Sequence, residues 1–385
     1  MEVSVIDRIS RVSAEEWDAL VGDDNPFIEH AFLDILEESG SVSAETGWQP
    51  AHVLVRDEGR LIGAAPLYVK DHSYGEYIFD WGWAQAANRA GLPYYPKLVD
   101  AVPFTPATGR RLLTQSDPEN PDAPEPNVTR ALVAGFQAVA EAAQAWSIHL
   151  LFTTAAERTL LAEAHDFIPR TTQQYHWHNK GYESFDHWLS FFRSKDRKNT
   201  RRERRKALEE VDHIRVVPGS EVTDREWRVI RRFYLDTISK KWGQAYLTDD
   251  FFSMLGKRLG DRAKIFFAEK DNRIVASALT FHKGKHLYGR YWGGRPGLDC
   301  LHFELCYHRP IQECIENGWT LFEAGAQGSH KLKRGLMPVE IASAHWLRHP
   351  GLKDAVADAM RREARYVRQQ IAEEATHGPF RREAP

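Results

Sequence analysis

Residues 59–84 and 272–294 carry one hairpin pattern twice, and this repetition constrains the fold more than any single motif. Gly59-Arg60-Leu61-Ile62-Gly63-Ala64-Ala65-Pro66-Leu67-Tyr68 matches Asn272-Arg273-Ile274-Val275-Ala276-Ser277-Ala278-Leu279-Thr280-Phe281 at a constant shift of 213 residues. In each copy a turn delivers an Arg, then a strand of small and apolar residues, then a second, aromatic strand. The second strands read Tyr74-Gly75-Glu76-Tyr77-Ile78-Phe79-Asp80-Trp81 and Leu287-Tyr288-Gly289-Arg290-Tyr291-Trp292. A helical pattern precedes both, Ala14-Glu15-Glu16-Trp17 and Asp224-Arg225-Glu226-Trp227, as does a Phe-bearing segment at His30–Leu33 and Asp250–Ser253. Solenoid units repeat every 20–50 residues or so, so a repeat this long reads as a duplicated domain. The expected division is 1–180 and 181–385.

At 385 residues the chain has room for two or three domains. Its net charge of −3 argues against a surface built wholesale for nucleic acid, while leaving local charge open. The start, Met1-Glu2-Val3-Ser4-Val5-Ile6-Asp7, has neither a basic opening nor an apolar run, and no stretch of about eighteen apolar residues follows. Cys300, Cys306 and Cys314 are odd in number and lack C-x-x-C spacing, so reduced thiols in a cytoplasmic protein fit better than a disulfide or zinc site.

Amphipathic stretches near 13–21 and 29–38 precede expected strands at 51–56, 61–70 and 74–84, with the turn Asp57-Glu58-Gly59 between the first two. A proline-rich loop at 114–127 leads to an Ala-rich helix over 128–145 and a buried strand over 148–153. The second half opens with a basic helix over 185–210, whose Phe185, Trp188, Leu189 and Phe192 should face a core. Then come a strand at 214–217 and helices at 224–240, 249–258 and 300–317. Pro310 should kink the last of these and Gly318 should cap it. The strand Thr320–Ala324 and a C-terminal helix over 351–375 complete an α/β pattern with mixed sheets.

Four segments could carry chemistry. The loop Gly325-Ala326-Gln327-Gly328-Ser329-His330-Lys331-Leu332-Lys333-Arg334-Gly335 leaves a strand end, where α/β folds place ligands. Its glycines allow close backbone approach, and Lys331, Lys333 and Arg334 bring positive charge, so it reads as a phosphate or carboxylate site or as a solvated hairpin. Tyr288, Arg290 and Trp292 on the neighbouring strand would floor the same cleft. His302 and Glu304 open the 300–317 helix, where Glu304 is a candidate general base or simply an acid favoured by the helix dipole. Arg193–Lys206 holds nine Lys or Arg against two acids, either a solvated face or a contact for RNA phosphates. His176 and His178 share a strand face without a third ligand, so no metal is expected.

In the first half, Pro103-Phe104-Thr105-Pro106-Ala107-Thr108-Gly109-Arg110-Arg111-Leu112-Leu113 resembles the tail of the acetyl-coenzyme A pyrophosphate loop of N-acetyltransferases. Two prolines remove amides there, which favours a shaped wall over a pyrophosphate cradle. More broadly, the chain over 25–350 resembles the FemAB-like proteins of peptidoglycan biosynthesis or recognition, within the GNAT superfamily. The resemblance rests on Pro26-Phe27, His30-Ala31-Phe32-Leu33, Gly47-Trp48-Gln49-Pro50, Gly75–Trp81, Tyr94-Tyr95-Pro96-Lys97-Leu98, Pro103–Pro106 and Lys241-Trp242-Gly243. It continues through Leu287–Gly293, Leu301-His302-Phe303-Glu304 and Gly325-Ala326-Gln327-Gly328. It implies two tandem GNAT-like domains and acyl or aminoacyl transfer to an amine acceptor, a cell-wall precursor peptide in the Fem transferases. No tightly bound cofactor is implied, and the donor would be acyl-coenzyme A or aminoacyl-tRNA. The matching segments add Asp80, Trp81, Thr105 and Gln327 to the candidate binding residues. Ser329 stands where the family pattern leads one to expect Glu, so catalysis is not assigned there. A binding protein that uses the same cleft for cell-wall peptide or RNA without turnover is the alternative.

Overall fold

The computed structural model describes residues 1–115, 120, 122–240, 245–298, 300–326 and 328–381, so Lys241-Trp242-Gly243 and Gln327 lie outside the described residues. By contacts the chain forms two units: Met1–Gln173 with Glu340–Gln370, and Gln174–Val339 with Ile371–Pro385. A cut at 180 therefore leaves residues 340–370 on the wrong side. They return to the first unit because the strand holding them pairs there, an order no local pattern encodes.

In the first unit, β1 (Glu2–Ile6), β2 (Gln49–Pro50), β3 (His52–Asp57), β4 (Arg60–Ala65), β5 (Leu67–Lys70), β6 (Lys97–Asp100), β7 (Leu113–Thr114) and β8 (Ser147–Thr153) follow in chain order. One sheet runs β1-β3-β4-β7, and β2-β5-β6-β8 are successive neighbours at one end of the second. The pair β6–β8 is parallel, Val99 opposite His149. The helices are α1 (Ala14–Asp18), α2 (His30–Glu38), α3 (Trp81–Arg89), α4 (Pro126–Ala142) and α5 (Ala155–Ala164). Helix α4 starts with Pro126 in its first turn and the Glu125 carboxylate on the Val128 amide, so orphan donors are met at once. Its Leu132, Val133, Phe136 and Val139, at helical spacing, bury against Val53, Leu67, Leu98 and Ile148 to form the core.

The chain leaves this unit along β9 (Ile168–His178). In the second unit, β10 (His213–Pro218), β11 (Ala263–Lys270), β12 (Arg273–Lys283), β13 (His286–Gly294) and β14 (Leu321–Glu323) line up as β10-β11-β12-β13-β14-β9. Here β13–β14 is the parallel pair. The basic helix is two helices, α6 (Phe185–Ser190) and α7 (Ser194–Glu209), followed by α8 (Asp224–Ser239) and α9 (Asp249–Arg258). The helix after β13 is broken into α10 (Leu301–Phe303), a π turn over Glu304–His308, and α11 (Arg309–Glu316). The wide turn comes just before Pro310, which has no amide to donate. Gly318 takes φ 66° just past it, as a C-terminal cap requires. Strand β15 (Met337–Leu347) then re-enters the first unit and pairs with β8, His345 opposite His149, before α12 (Pro350–Thr376).

The duplication extends to backbone irregularities. Arg60–Lys70 and Arg273–Lys283 are both eleven-residue stretches at the same shift of 213. The β3–β4 ladder slips at Val55/Arg56 and the β11–β12 ladder at Ala268/Glu269, again at that shift. Pro66, which cannot donate to a ladder, interrupts the first copy where Leu279/Thr280 slips in the second. The expected strand at 74–84 is a correction: the segment forms bends and then α3, and the place of β13 is taken by β6. Asp80 and Lys97 explain it, since their ion pair folds the segment inward instead of letting it pair.

Candidate functional site

In the second unit the parallel strands part. Register joins β13 to β14 only over His286–Tyr288 and Leu321–Glu323, whereas β13 runs on to Gly294. Beyond Tyr288, no strand among the described residues lies along that edge of β13. Alternation sorts the two faces: Leu287, Phe322 and Trp177 enter the core under α11, while Tyr288, Glu323 and His176 form a row on the opposite face. Glu323 is buried with its carboxylate 3.8 Å from His176 Nε2. Burial, then the neighbouring cations His178, Lys331 and His286, push the His176 pKa down to about 3, so this imidazole is neutral.

The loop after β14 turns back on itself. Gly325 and Gly328 sit at φ 84° and 117°, a region costly for side-chain-bearing residues, and a 3-10 turn over Ser329–Arg334 follows. The turn carries Lys331 inward, 2% exposed, where its Nζ donates to the Gly325 carbonyl at 2.6 Å. Among the described residues Lys331 has no carboxylate partner, and burial lowers its pKa to about 8. The Tyr307 hydroxyl and His330 Nε2 are 2.9 Å apart. His302 completes the cluster, its ring 5.5 Å from Tyr307, 6.1 Å from His330 and 5.2 Å from Trp292.

Other candidates divide differently. Glu304 is buried and clasped by Arg204 of the basic helix, with Nη2 donating at 2.8 Å and Nε at 3.0 Å, so its carboxylate anchors α7. Arg334 is held by Glu203 at 2.9 Å and lies 3.3 Å over the Phe303 ring. Lys333 is exposed. Arg290 is the extra residue of a β-bulge, between Gly289 opposite Thr280 and Tyr291 opposite Leu279. The bulge resets alternation, so Trp292 packs on the core beside Leu301 and does not share a face with Tyr288. Within α7, Arg201 pairs with Asp186 and Arg193 with Asp196. Lys195, Lys198 and Arg202 remain exposed and unpaired among the described residues, at helical spacing along one face.

Asp80 belongs to a buried polar cluster in the first unit. Lys97 Nζ donates to Asp80 at 2.6 Å, Glu76 at 2.8 Å and Ser73 at 2.7 Å, and the Tyr94 hydroxyl donates to Asp80 at 2.5 Å. Burial opposes ionisation of Asp80, but Lys97 and then His149 outweigh it and hold the carboxyl well below its usual range. Burial raises Glu76 to about 7 and lowers Lys70 to about 7. His149 and His345 face each other through their Nδ1 atoms at 2.8 Å, and Ser147 and Ser343 meet their Nε2 atoms. Trp81 is 37% exposed at the start of α3. The Thr105 hydroxyl is buried on the Pro103 carbonyl. Sequence reasoning misses Glu323, His176 in this role, Tyr307 and the partners of Asp80. Glu323 alone left a signal, an acid inside a strand that otherwise reads as buried.

The fold recurs in solved structures. FemX aligns over 93% of this chain and 100% of its own with a TM-score of 0.53 and 13% identity. A protein of unknown function from Bacteroides thetaiotaomicron aligns over 89% and 99% with a TM-score of 0.52 and 10% identity. The C-terminal domain of a putative lysylphosphatidylglycerol synthetase from Agrobacterium fabrum aligns over 90% and 94%, with a TM-score of 0.51 and 12% identity. No curated protein sequence matches. No helix among the described residues is long and apolar enough to cross a membrane. A family model covers residues 8–382, and with the duplicated mixed-sheet fold it identifies the chain as a member of the FemAB-like family of peptidoglycan biosynthesis/recognition.

Proposed function

We propose that the protein is an aminoacyl- or acyltransferase whose transfer site lies in the second unit, with an amine of a cell-wall precursor peptide as acceptor. The observation that carries this reading is the parting of β13 and β14 beside a buried lysine that has no carboxylate partner among the described residues. Strand amides of β13 past its pairing with β14 suit the polarisation of a donor carbonyl, and Lys331 suits an anionic part of the donor. The acceptor nitrogen attacks that carbonyl, the new C–N bond forms, and the donor's ester or thioester bond breaks. The amine's proton needs a base, and Glu323 beside neutral His176 is better suited than the engaged Glu304. The departing oxygen or sulfur needs a proton; burial raises the Tyr307 pKa, so its hydroxyl stays protonated and able to donate.

Lys195, Lys198 and Arg202 favour aminoacyl-tRNA over acyl-coenzyme A, because an exposed cationic face suits a long polyanion. The test is a donor panel of aminoacyl-tRNAs and acyl-coenzyme A with precursor peptides, run on wild type, Lys331→Ala and Glu323→Gln. Product made by wild type and lost in both variants is the expected result. Tight precursor binding with no product from any donor would instead assign a recognition role.

A further inference from the structure

The first unit contains an anion nest that its own chain fills. The amides of Arg111 and Leu112, neighbours in the loop after β6, both donate to Glu157 Oε1 at 2.7 Å. The Thr154 amide donates to Oε2 at 2.9 Å, and Glu157 is fully buried. Consecutive amides converging on one oxygen form the concave donor set that proteins use for phosphate and carboxylate groups. Positive charge surrounds it. Arg111 is also fully buried, with Nε on the Leu151 carbonyl at 2.8 Å and Nη2 on that of Ala107 at 2.6 Å. Arg110 is 8% exposed, with Glu157 the foremost of the acids that offset its burial. Asp100 is close enough to interact with both Arg111 and Glu157, yet both of its oxygens are buried without a hydrogen-bond partner. Burial drives its pKa far up; burial raises that of Glu157 as well, but there the amides of Leu112, Thr154 and Arg111 pull the other way and favour the carboxylate. The Gly109 amide is committed to the Phe152 carbonyl at 3.0 Å, and residues 103 and 106 are prolines without amides.

We infer that Glu157 is an internal substitute for an anionic ligand: the nest on Arg111 and Leu112 is closed to phosphate-bearing molecules in this protein, and removing the Glu157 carboxylate opens it to them. A capping box alone would use Glu157 on the Thr154 amide; the two further amides from a distant loop are what a box does not require. A ligand would have to displace a carboxylate held by three amides at no cost in translational freedom, a competition the tethered group wins. The inference concerns the first unit alone and does not depend on the transferase reading.

The test uses the full chain and inorganic pyrophosphate at constant ionic strength, with the Arg111 and Leu112 amide resonances and the melting temperature as readouts. In wild type those two resonances stay in place up to millimolar pyrophosphate. In Glu157→Ala they move saturably, the melting temperature rises with pyrophosphate, and the affinity is at least about tenfold above wild type. Acetate, which restores the lost carboxylate, stabilises the same variant. Glu157→Gln keeps an acceptor on the same amides and stays closed. Should Glu157→Ala fold only with acetate or pyrophosphate present, the nest is equally demonstrated. Movement of the wild-type resonances, or a variant that neither anion affects, would overturn the inference.

Discussion

Corresponding strand rows in the two units differ in how the buried lysine near each is paired. In the first unit, Val99, His149 and His345 lie side by side across β6, β8 and β15; in the second, Tyr288, Glu323 and His176 occupy β13, β14 and β9. The lysine on the first row's face, Lys97, is matched by Glu76 and Asp80, both buried with it. Lys331 of the second unit is almost as buried and, among the described residues, is held by a carbonyl and by no carboxylate. A buried cation surrounded by acids is structure, whereas one held by a dipole alone keeps attraction to spare for a ligand. Duplication supplied two similar frames, and charge pairing distinguishes them. One cluster is neutralised from within; the other, on the proposed function, takes its counter-charge from a ligand.

Removing each lysine is the most direct way to break this contrast. Lys97→Ala strands Glu76 and Asp80 in a low-dielectric interior, and loss of one partner from a buried pair costs about 3–5 kcal/mol. Urea unfolding followed by a probe in the first unit should show that loss, and a change under about 1 kcal/mol would erase the distinction. Lys331→Ala should act the other way round. Transfer, or affinity for an anionic donor, should fall about tenfold to a hundredfold, as expected for a charge-assisted contact of about 1.5–3 kcal/mol. Stability should move by less than about 1 kcal/mol, the scale of one hydrogen bond. A variant that unfolds while its remaining activity is normal would put Lys331 in the same class as Lys97.

Glu304→Gln sharpens the comparison inside the second unit. With Arg204 on both its oxygens, the substitution should cost about 1–3 kcal/mol of stability and alter turnover only a few-fold. A hundredfold drop in kcat with stability unchanged would return Glu304 to the role of base. Two groups, one in each unit, set separate pH dependences. His149 is held near 3 by burial, against 6.5 in the unfolded chain, so the unfolded state binds the proton first. That contribution is present above pH 6.5 and is lost as pH falls from there towards 3. Lys331 titrates near 8, so it is cationic below and neutral above, and anionic-donor affinity should weaken as pH rises through 8. Lys331→Arg should flatten that profile, and a profile unchanged by it would assign the transition to another group. The smallest effect belongs to the exposed stripe. Replacing Lys195, Lys198 and Arg202 with Ala should reduce the logarithmic salt slope of RNA binding by about 2, near 0.7 per lost phosphate contact. An unaltered slope would leave α7 as a solvated face.

The duplicated hairpin was legible because its signals are local. Turn residues at Glu58-Gly59 and Asp271-Asn272 take positive φ, and small-residue strands follow at a fixed shift. The buried helical faces, the 300–317 helix with its disturbance at Pro310 and the loop of Lys331 were legible for the same reason. The loss of the strand expected at 74–84 was not, because Glu76 and Asp80 turn inward only in response to Lys97, about twenty residues away. Of the candidate site residues, His302, His330 and Lys331 fall together in space, whereas Glu304 and Arg334 are engaged by Arg204 and Glu203, a hundred or more positions away.

The sequence by itself determined the two similar frames, the basic segment and the glycine-linked loop, all of them consequences of backbone preference and hydrophobic period over short spans. Only the tertiary structure decided which charges are spent. Ion pairing depends on distance in space, so Lys97 and Lys331 look alike as residues and differ by the carboxylates that folding brings to one and, among the described residues, withholds from the other.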